Sequence, residues 1–295
     1  MRVLVTGKNG QVGRCLMDQG DSYGFNMFGM SSTELDITNI RNVDSVISQI
    51  KPDLVINAAA YTAVDKAETD MKAAYAVNET GPKLIAAICK KLDIPMFHIS
   101  TDYVFDGKSK IPYKETDIVN PTSVYGRSKF MGELAVRNTL SKFIILRTSW
   151  VFSEYGANFV KTMLRLGSER EELSIVGDQY GGPTSAHSIA ASLLQIAKQY
   201  EEQKVINWGV YHFSSDQYCS WYEFAQEIFI AAARTNNSIK SPKLNQITTA
   251  DYPTPAIRPK NSCLNIEKIK TIFGLDGCDW RAALMNTIPK IMEHK

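Results

Sequence analysis

Apolar positions in the first half of the chain alternate between short continuous runs and runs with helical spacing. The continuous runs are rich in Val, Ile, Leu and Phe and predict buried β-strands. They lie at residues 2–6, 25–30, 54–57, 96–100 and 143–148. Helical spacing predicts helices over 12–19, 43–50, 73–92 and 129–140. Because strands that are apolar throughout are buried on both faces, the alternation predicts an α/β fold with a doubly wound parallel sheet of the Rossmann type.

Beyond Trp150 the alternation is looser. The predicted elements there are helices at 158–166 and 185–199, a strand at 173–176, a turn at 181–184, a strand at 210–213 that returns to the main sheet, and two or three helices with a proline-rich connection after Ser214. We therefore predict a sheet domain of residues 1–150, to which 185–214 return. Residues 151–184 and 215–295 would form a smaller C-terminal α/β lobe.

Composition narrows the class of partner. The 295 residues include 33 basic and 31 acidic ones, so a net charge of +2 favours neither nucleic acid nor a membrane surface. No apolar run is long enough to span a bilayer, and the N-terminus resembles a first strand more than a signal peptide. Five scattered cysteines and four isolated histidines predict reduced thiols in a cytoplasmic protein and no metal site.

Glycines are spaced three apart where the first strand meets the first helix. Gly7, Gly10 and Gly13 permit a tight turn, a close backbone approach to a pyrophosphate, and close packing of helix on strand. The amides at the start of the helix would face the phosphate charge. Because the pattern lies where this chemistry needs it, we predict that the sheet domain binds a dinucleotide, NAD(P).

The nature of the dinucleotide is indicated less directly. The end of the second strand, residues 28–32, has no carboxylate for a ribose diol, while Lys8 and Arg14 could accept a 2′-phosphate. These features favour NADPH, with NADH also used. Asp36 would either accept a bond from adenine or cap the following helix. The small residues at 57–60 would either let a flat cofactor lie across the strand ends or serve core packing.

Tyr125 and Lys129 form a Tyr-x-x-x-Lys pattern at the predicted start of a helix. One helical turn separates them, so phenol and ammonium can face the same cavity. A nearby ammonium would stabilise the phenolate and make proton transfer near neutral pH feasible. Alone the pattern is weak, since an amphipathic surface turn has the same spacing.

Taken together, the glycine turn, Asn57-Ala58-Ala59-Ala60, Ser100-Thr101-Asp102 and the Tyr/Lys pair resemble the extended short-chain dehydrogenase/reductase superfamily. Further segments are similar to the dTDP-4-dehydrorhamnose reductase family. They lie at 60–68, 100–107, 147–152, 177–184 and 258–262. The resemblance implies an oxidoreductase that reduces the 4-keto group of a dTDP-6-deoxy-L-hexulose to dTDP-L-rhamnose with hydride from NAD(P)H.

The resemblance also implies roles for individual residues. Tyr125 would donate a proton to the sugar oxygen, Lys129 would hold the nicotinamide ribose, and Thr101 would bond the reacting oxygen. We prefer Thr101 to Ser100 because strand alternation points Ser100 the other way. The implied cofactor residues are Gly7, Gly10, Gln11, Val12, Gly13, Met30, Asp36, Ile37, Ala60, Tyr61, Thr62, Tyr125 and Lys129. The implied substrate residues are Thr101, Asp102 and Trp150, although Trp150 would serve equally well as a buried aromatic at a strand end.

Because the same fold carries several reactions, the residues of the site must distinguish among them. Sugar-nucleotide dehydratases carry Thr-Asp-Glu after strand four, and Tyr103 stands here where their base would be. A nucleotide-sugar epimerase needs only the Tyr/Lys pair and a retained cofactor, so that alternative stays open. A non-catalytic NADP-binding subunit, like the β subunit of methionine adenosyltransferase, is a further alternative.

The remaining expectations concern partners. The substrate would be a small nucleotide sugar, and homodimers are common among such proteins. A structural Mg²⁺ at a dimer contact would be compatible with the resemblance, but no carboxylate cluster indicates one. The nucleotide base and the product stereochemistry do not follow from the residues themselves.

Overall fold

A computed structural model describes residues 1–236 and 241–293. The first half alternates strands and helices, as follows: β1 (Arg2–Thr6), α1 (Gln11–Gly20), β2 (Asn26–Met30), α2 (Ile40–Ile50), β3 (Leu54–Asn57), α3 (Val64–Ala67), α4 (Met71–Tyr75), α5 (Gly81–Lys91), β4 (Met96–Thr101), α6 (Val124–Thr139) and β5 (Phe143–Thr148).

The second half has shorter strands and longer connections: β6 (Val151–Phe152), α7 (Phe159–Glu169), β7 (Glu172–Val176), β8 (Tyr180–Gly181), β9 (Thr184–Ser185), α8 (Ala186–Gln203), β10 (Gly209–His212), β11 (Cys219–Ser220), α9 (Trp221–Thr235), β12 (Lys243–Ile247), β13 (Asn261–Ser262), α10 (Glu267–Phe273) and α11 (Trp280–Glu293).

The main sheet is parallel, with six strands in the order β10-β5-β4-β3-β1-β2. The predicted α/β doubly wound parallel sheet is therefore confirmed. The chain reverses its direction of winding between β1 and β3, so their carboxyl ends open a crevice between the helices on either face. The register places Thr6 beside both Met30 and Asn57, which brings the ends of the three strands together at this crevice.

Successive strand residues serve two separate cores, because side chains alternate across a sheet. Val3 and Val5 of β1 face a core that also contains α1 and α8 and continues into α7, α9 and α11. Leu4 of the same strand faces the core built by α2, α5 and α6. The first core thus ties the sheet to the C-terminal helices through shared apolar contacts.

The C-terminal part adds small sheets beside the crevice. β7 pairs with β12, β8 pairs with both β11 and β13, and β6 pairs with β9. Ser220 and Glu223 form a capping box that starts α9, since each side chain bonds the other's backbone amide. The predicted turn at 181–184 is wrong in part, because its first and last residues lie in strands. Gly181 belongs to β8, which pairs with β11 and β13, and Thr184 belongs to β9, which pairs with β6.

Two predicted helices differ from those observed. The helix predicted over 73–92 is divided into α4 and α5 by a π-helical turn at Ala76–Thr80. This turn buries the side chain of Asn78, whose bonds to neighbouring polar groups compensate for the irregular backbone. The helix predicted over 129–140 begins earlier, because Ser123 caps it and Tyr125 lies inside its first turn.

Candidate active site

The glycine turn between β1 and α1 is built for close backbone contact. Gly7 has a φ of 72°, and a Cβ there would lie 2.7 Å from backbone atoms of Ala59. A Cβ on Gly13 would lie 2.2 Å from the Gly7 carbonyl oxygen. Gly10 is the N-cap of α1 and supplies no side-chain cap within the described chain. The first amides of α1 are therefore available to a phosphate group, and the turn fits a dinucleotide.

Gln11, the first residue of α1, is held by the loop that follows β6. Its Oε1 accepts hydrogen bonds from the Ser153 hydroxyl at 2.9 Å and from the Asn158 amide at 3.0 Å. Val12 is half-buried against the core beneath the turn. The loop after β6 thus orients a residue of the phosphate turn from the far side of the crevice.

A cavity of about 360 Å³ opens at the carboxyl ends of β1, β2 and β3. Its walls combine the glycine turn, the segment after β2 and the small residues after β3. The lining residues are Gly7, Asn9, Gly10, Ser31, Ser32, Leu35, Asp36, Ile37, Thr38, Ala58, Ala59, Ala60, Tyr61 and Val77. The alanines that follow Asn57 therefore line the cavity and are only half-buried. Seven residues of the predicted cofactor set are not part of this lining: Gln11, Val12, Gly13, Met30, Thr62, Tyr125 and Lys129.

Asp36 and Ile37 line the far end of this cavity in different ways. The Asp36 carboxylate accepts bonds from the amide and the hydroxyl of Thr38, at 2.9 and 2.7 Å, so it organises a local turn. It does not cap the next helix, since Asn39 accepts the amide bonds at the start of α2. Ile37 is buried, and a Cβ on Gly81 would meet its side chain at 2.5 Å.

Tyr61 is fixed by the buried Asn78 of the π-helical turn. The Tyr61 amide donates to Asn78 Oδ1 at 2.9 Å, and Asn78 Nδ2 donates back to the Tyr61 carbonyl at 3.1 Å. The Tyr61 hydroxyl donates to Asp70 at 3.1 Å. Asn78 also donates to the Ser128 hydroxyl, one residue before Lys129. The irregular turn therefore links the cavity wall to α6.

Thr101, Tyr125 and Lys129 converge at the carboxyl end of β4 and the start of α6. Thr101 ends β4, and its hydroxyl lies close enough to the Tyr125 phenol to affect the pKa of that phenol. Lys129 follows one turn later and donates to the Ile99 carbonyl at 2.7 Å. All three side chains are at least nine-tenths buried. The Ser100 hydroxyl points instead to Glu133.

Burial controls the ionisation of the pair. Burial raises the pKa of Tyr125 to about 12, the Asp102 carboxylate adds to that rise, and the Thr101 hydroxyl opposes it. Burial lowers the pKa of Lys129 to about 8, against the attraction of Glu133. Stabilisation of the Tyr125 phenolate by Lys129 stays a prediction, since the Lys129 ammonium here donates to the Ile99 carbonyl. Tyr125 is a protonated phenol at neutral pH, which is the form a proton donor requires.

Asp102 is a buried carboxyl beside this pair. It accepts a hydrogen bond from the Thr101 hydroxyl at 2.9 Å, and burial raises its pKa to about 6 while the Ser262 and Thr101 hydroxyls oppose the rise. Its Oδ2 is buried with no hydrogen-bond partner of good geometry among residues 1–236 and 241–293, and the same holds for the Thr148 hydroxyl. An unpaired buried polar atom of this kind requires an explanation, such as a ligand or a water that binds it.

A buried ion pair, missed by the sequence analysis, lies behind Lys129. Glu133, one turn further along α6, accepts two bonds from the Arg147 guanidinium, at 2.8 and 2.6 Å. The same carboxylate accepts a bond from Ser100 at 2.6 Å. Arg147 comes from β5, so only the pairing of β4 with β5 brings these groups together. In the local sequence, only the i, i+4 spacing of Lys129 and Glu133 indicated that a carboxylate lies near Lys129.

Trp150 lies on the C-terminal side of the site in a strained backbone conformation, with a φ of 47°. Its indole stacks on that of Trp221, with ring centroids 3.5 Å apart and planes 8° apart. A Cβ on Gly181 would lie 2.5 Å from the Trp150 ring, so glycine makes room for the indole. Trp221 begins α9, and nothing in its local sequence indicated that it would reach Trp150.

Two further features frame the reaction centre. Tyr103, at the position of the dehydratase base, packs edge-on against Tyr125 with centroids 5.5 Å apart. On the outer side, the Arg258 guanidinium donates to the Asp65 carboxylate at 2.6 Å. This contact ties the proline-rich connection to the segment that follows Tyr61. An aromatic ring therefore stands where the dehydratases carry their carboxylate base, and it packs against Tyr125.

Two general features of the described chain bear on its class. Across residues 1–236 and 241–293, His, Cys, Asp and Glu side chains do not gather in groups of three or more that could hold a metal ion. No helix within those ranges combines the length and the apolar character needed to cross a bilayer.

Comparisons with known proteins bear on the chain over almost its full length. Residues 1–292 match the family model described as the RmlD substrate binding domain. A dTDP-4-dehydrorhamnose reductase from Aggregatibacter actinomycetemcomitans is 47% identical over 286 residues, which cover 97% of each chain.

Two solved structures are also similar. One is a dTDP-4-dehydrorhamnose reductase from Clostridium acetobutylicum, with a TM-score of 0.90, 39% identity, and 99% of this chain and 100% of that one covered. The other is a dTDP-4-dehydrorhamnose reductase from Bacillus anthracis in complex with NADP. It has a TM-score of 0.88, 36% identity, and 97% of this chain and 98% of that one covered.

Proposed function

This chain belongs to the RmlD substrate-binding-domain family of dTDP-4-dehydrorhamnose reductases, and from that premise we propose its reaction. It is an oxidoreductase that reduces the 4-keto group of a dTDP-6-deoxy-L-hexulose to dTDP-L-rhamnose with hydride from NADPH. The observation that carries the proposal is the buried Thr101, Tyr125 and Lys129 group at the end of β4, beside a cavity shaped for a dinucleotide.

The cofactor would be held by backbone and side chains at both ends of the cavity. The amides that begin α1 take the pyrophosphate, Ala60 and Tyr61 line the middle, and Lys129 holds the nicotinamide ribose. When bound, the reduced nicotinamide supplies a hydride to the carbonyl carbon of the sugar. The glycine turn leaves no room for a side chain at Gly7 or Gly13, which supports this placement.

Tyr125 donates the proton that completes the reduction. Its phenol has a pKa of about 12 and is therefore protonated at neutral pH. An alkoxide formed at the sugar is comparable in basicity to hydroxide, since water has a pKa of roughly 15.7. Transfer from the phenol to that oxygen is downhill even though burial weakens Tyr125 as an acid. Thr101, beside the phenol, positions the same oxygen.

The substrate sugar is proposed to lie between the end of β4 and the C-terminal lobe of residues 151–184 and 215–295. Asp102 Oδ2 and the Thr148 hydroxyl supply buried polar atoms that are unpaired within 1–236 and 241–293. Trp150 supplies an aromatic surface for the sugar, with its ring held against Trp221. The rest of the sheet domain, residues 1–150 and 185–214, carries the cofactor.

Use of NADH as a second cofactor, a homodimeric state and a cytoplasmic location complete the proposal. All five cysteines are free and buried, which supports a reducing compartment. Size-exclusion chromatography with light scattering would measure the oligomeric state. Adding EDTA during that measurement tests for a structural Mg²⁺, because a metal-dependent dimer would dissociate.

The test of the proposed function is turnover of NADPH, followed by absorbance, with a dTDP-4-keto-6-deoxy-L-hexose. We expect NADPH oxidation in proportion to dTDP-L-rhamnose formed, with the product identified by NMR. The UDP-linked sugar serves as the control for recognition of the base. An epimerase would interconvert sugars with no net oxidation. A regulatory subunit would bind NADPH, consume none and co-purify in equal amounts with another enzyme, and either result would overturn the proposal.

A further inference from the structure

An ion pair lies at the carboxyl end of β2, where the phosphate turn meets the segment after the strand. The Lys8 ammonium lies 2.7 Å from Glu34. Glu34 Oε2 also accepts hydrogen bonds from the amide and the hydroxyl of Ser31, each at 2.7 Å. The Lys8 amide donates to the Met30 carbonyl at 3.1 Å, which fixes the turn against the strand end. The Glu34 carboxylate therefore bonds both the Lys8 ammonium and Ser31 at the end of β2.

The position of this pair matches one part of a bound dinucleotide. Ser31 and Ser32 line the cavity between Gly10 of the phosphate turn and Asp36 at its far end. In Rossmann sites the residues that end β2 contact the adenosine ribose. An acidic residue there bonds the ribose diol, and a basic residue there accepts the 2′-phosphate that distinguishes NADP from NAD. Here both kinds of residue are present and are bonded to each other.

Glu34 brings a carboxylate to the end of β2 from outside the strand. The end of β2 has no carboxylate within residues 28–32, but Glu34 folds back and bonds Ser31. Arg14, the other cation considered for a 2′-phosphate, lies over the Tyr155 ring at 5.2 Å. Of the two cations, Lys8 is the one seated at the end of β2.

We propose that Lys8 and Glu34 together determine the preference between NADP(H) and NAD(H). With NADP(H), Lys8 leaves Glu34 and binds the 2′-phosphate. With NAD(H), the Lys8–Glu34 pair stays closed, and Glu34 accepts a hydrogen bond from the 2′-hydroxyl. The inference rests on the proposed function, because it assumes that the cavity binds a nicotinamide dinucleotide.

The exposure of the pair makes such an exchange inexpensive. The Lys8 and Glu34 side chains are 31% and 46% exposed. Exposed ion pairs contribute little to stability, so Lys8 can change partners at low cost. A 2′-phosphate offers Lys8 more charge than a carboxylate does, whereas Glu34 repels the same phosphate. These opposing effects predict an enzyme that accepts both cofactors with only a modest preference.

The test compares two ligands that differ only by the 2′-phosphate, adenosine 2′,5′-bisphosphate and AMP. Isothermal titration calorimetry would measure both dissociation constants in the full-length protein and in two variants. Glu34→Gln removes the repulsion and should shift the affinity ratio toward the bisphosphate by about tenfold, the size of one charge-assisted bond. Lys8→Met removes the cation and should shift the ratio toward AMP by about tenfold. The ratio of kcat/KM for NADPH and NADH should move in the same directions.

A matched control comes from the exposed pair of Lys91 and Asp44, 3.1 Å apart on α5 and α2. Lys91→Met changes the net charge as Lys8→Met does and should leave the ligand ratio unchanged. If both ligands bind and neither Glu34→Gln nor Lys8→Met moves the ratio beyond this control, the inference is overturned and the proposed function stands. If neither ligand binds the unmodified protein, the proposed cofactor site itself fails.

Discussion

The reaction centre and the adenosine end of the cavity hold their charges in opposite ways. Behind Lys129, Glu133 and Arg147 form a two-bond pair whose side chains are 0% and 1% exposed. At the end of β2, Lys8 and Glu34 form a pair that is 31% and 46% exposed. Removing one partner of a buried pair leaves an uncompensated charge, whereas an exposed pair can be replaced by water or a ligand.

This difference matches the two proposed roles, chemistry beside the buried pair and cofactor selectivity at the exposed pair. The buried network cannot rearrange cheaply, so it keeps the Thr101, Tyr125 and Lys129 group in one geometry. The exposed pair can rearrange, so it can respond to a ligand group such as a 2′-phosphate. Substitutions should therefore have large effects at the buried site and small effects at exposed ion pairs, and the following predictions run from the largest expected effect to the smallest.

The largest effect is expected for Tyr125→Phe, which keeps the ring and removes the proton. Turnover should fall by roughly 10²-fold or more, the usual contribution of a general acid. Stopped-flow or steady-state NADPH oxidation measures the rate, and NADPH binding by fluorescence is the control that should stay unchanged. Nearly normal turnover in this variant would show that another group donates the proton.

Arg147→Met should cost about 3–5 kcal/mol in the free energy of unfolding, because it leaves the Glu133 carboxylate buried and unpaired. Urea denaturation measures this change. The double variant Arg147→Met, Glu133→Leu should recover much of the loss, since both charges are then absent. Lys142→Met, which breaks the exposed contact with Asp93, is the comparison and should change the free energy of unfolding little. Equal losses in the buried and exposed variants would contradict the comparison.

Asp102→Asn should change how stability depends on pH. The folded-state pKa of about 6 lies above the ordinary value of 3.8, so the folded protein binds more protons than the unfolded chain between these values. The free energy of unfolding therefore falls as pH rises through this window. The Asn variant should remove that slope and gain up to about 3 kcal/mol at pH 7.

Urea denaturation at pH 4 and pH 7 measures the Asp102→Asn effect. At pH 4 the Asp102 carboxyl of the unmodified protein is largely protonated in the folded state and thus neutral like the Asn amide, so the two proteins should have similar free energies of unfolding. Turnover should fall in the same variant, because an amide NH2 group replaces Oδ2, the acceptor proposed for the substrate. An unchanged pH slope would show that Asp102 has an ordinary pKa.

The smallest effect is expected at the stacked indoles, which are half-buried. Trp221→Ala should raise the KM for the sugar nucleotide by about tenfold, because Trp150 loses a ring contact that is typically worth 0.5–1.5 kcal/mol. Trp221→Phe should recover part of that loss, and the KM for NADPH should stay the same in both. Loss of the near-ultraviolet circular dichroism signal of the stacked pair gives an independent measurement. A KM equal to that of the unmodified protein in the Ala variant would exclude a positioning role.

The local parts of this molecule followed from the sequence. Continuous apolar runs predicted β1, β3 and β5 at their observed bounds, because strands buried on both faces are apolar over most of their length. The Tyr125 and Lys129 spacing predicted two side chains on one side of a helix, since 3.6 residues make one turn. The glycine turn followed in the same way from the limits that a Cβ places on the backbone.

Other parts depended on residues far apart in the chain. The π-helical turn at Ala76–Thr80 is stabilised by the bonds of Asn78 to Tyr61 and Ser128, which no local pattern announces. The stacking of Trp150 on Trp221 joins positions that are separated by more than two secondary-structure elements.

The sequence alone thus determined most of the elements, the phosphate turn and which side chains are proposed to react, since each depends on neighbours within a few residues. Only the tertiary structure decided how those side chains ionise and what supports them. Strand pairing brings Arg147 to Glu133 behind Lys129, and the fold of the segment after β2 brings Glu34 to Lys8. Burial then makes the first pair rigid and leaves the second free to exchange, because the cost of separating charges depends on how much water can replace a lost partner.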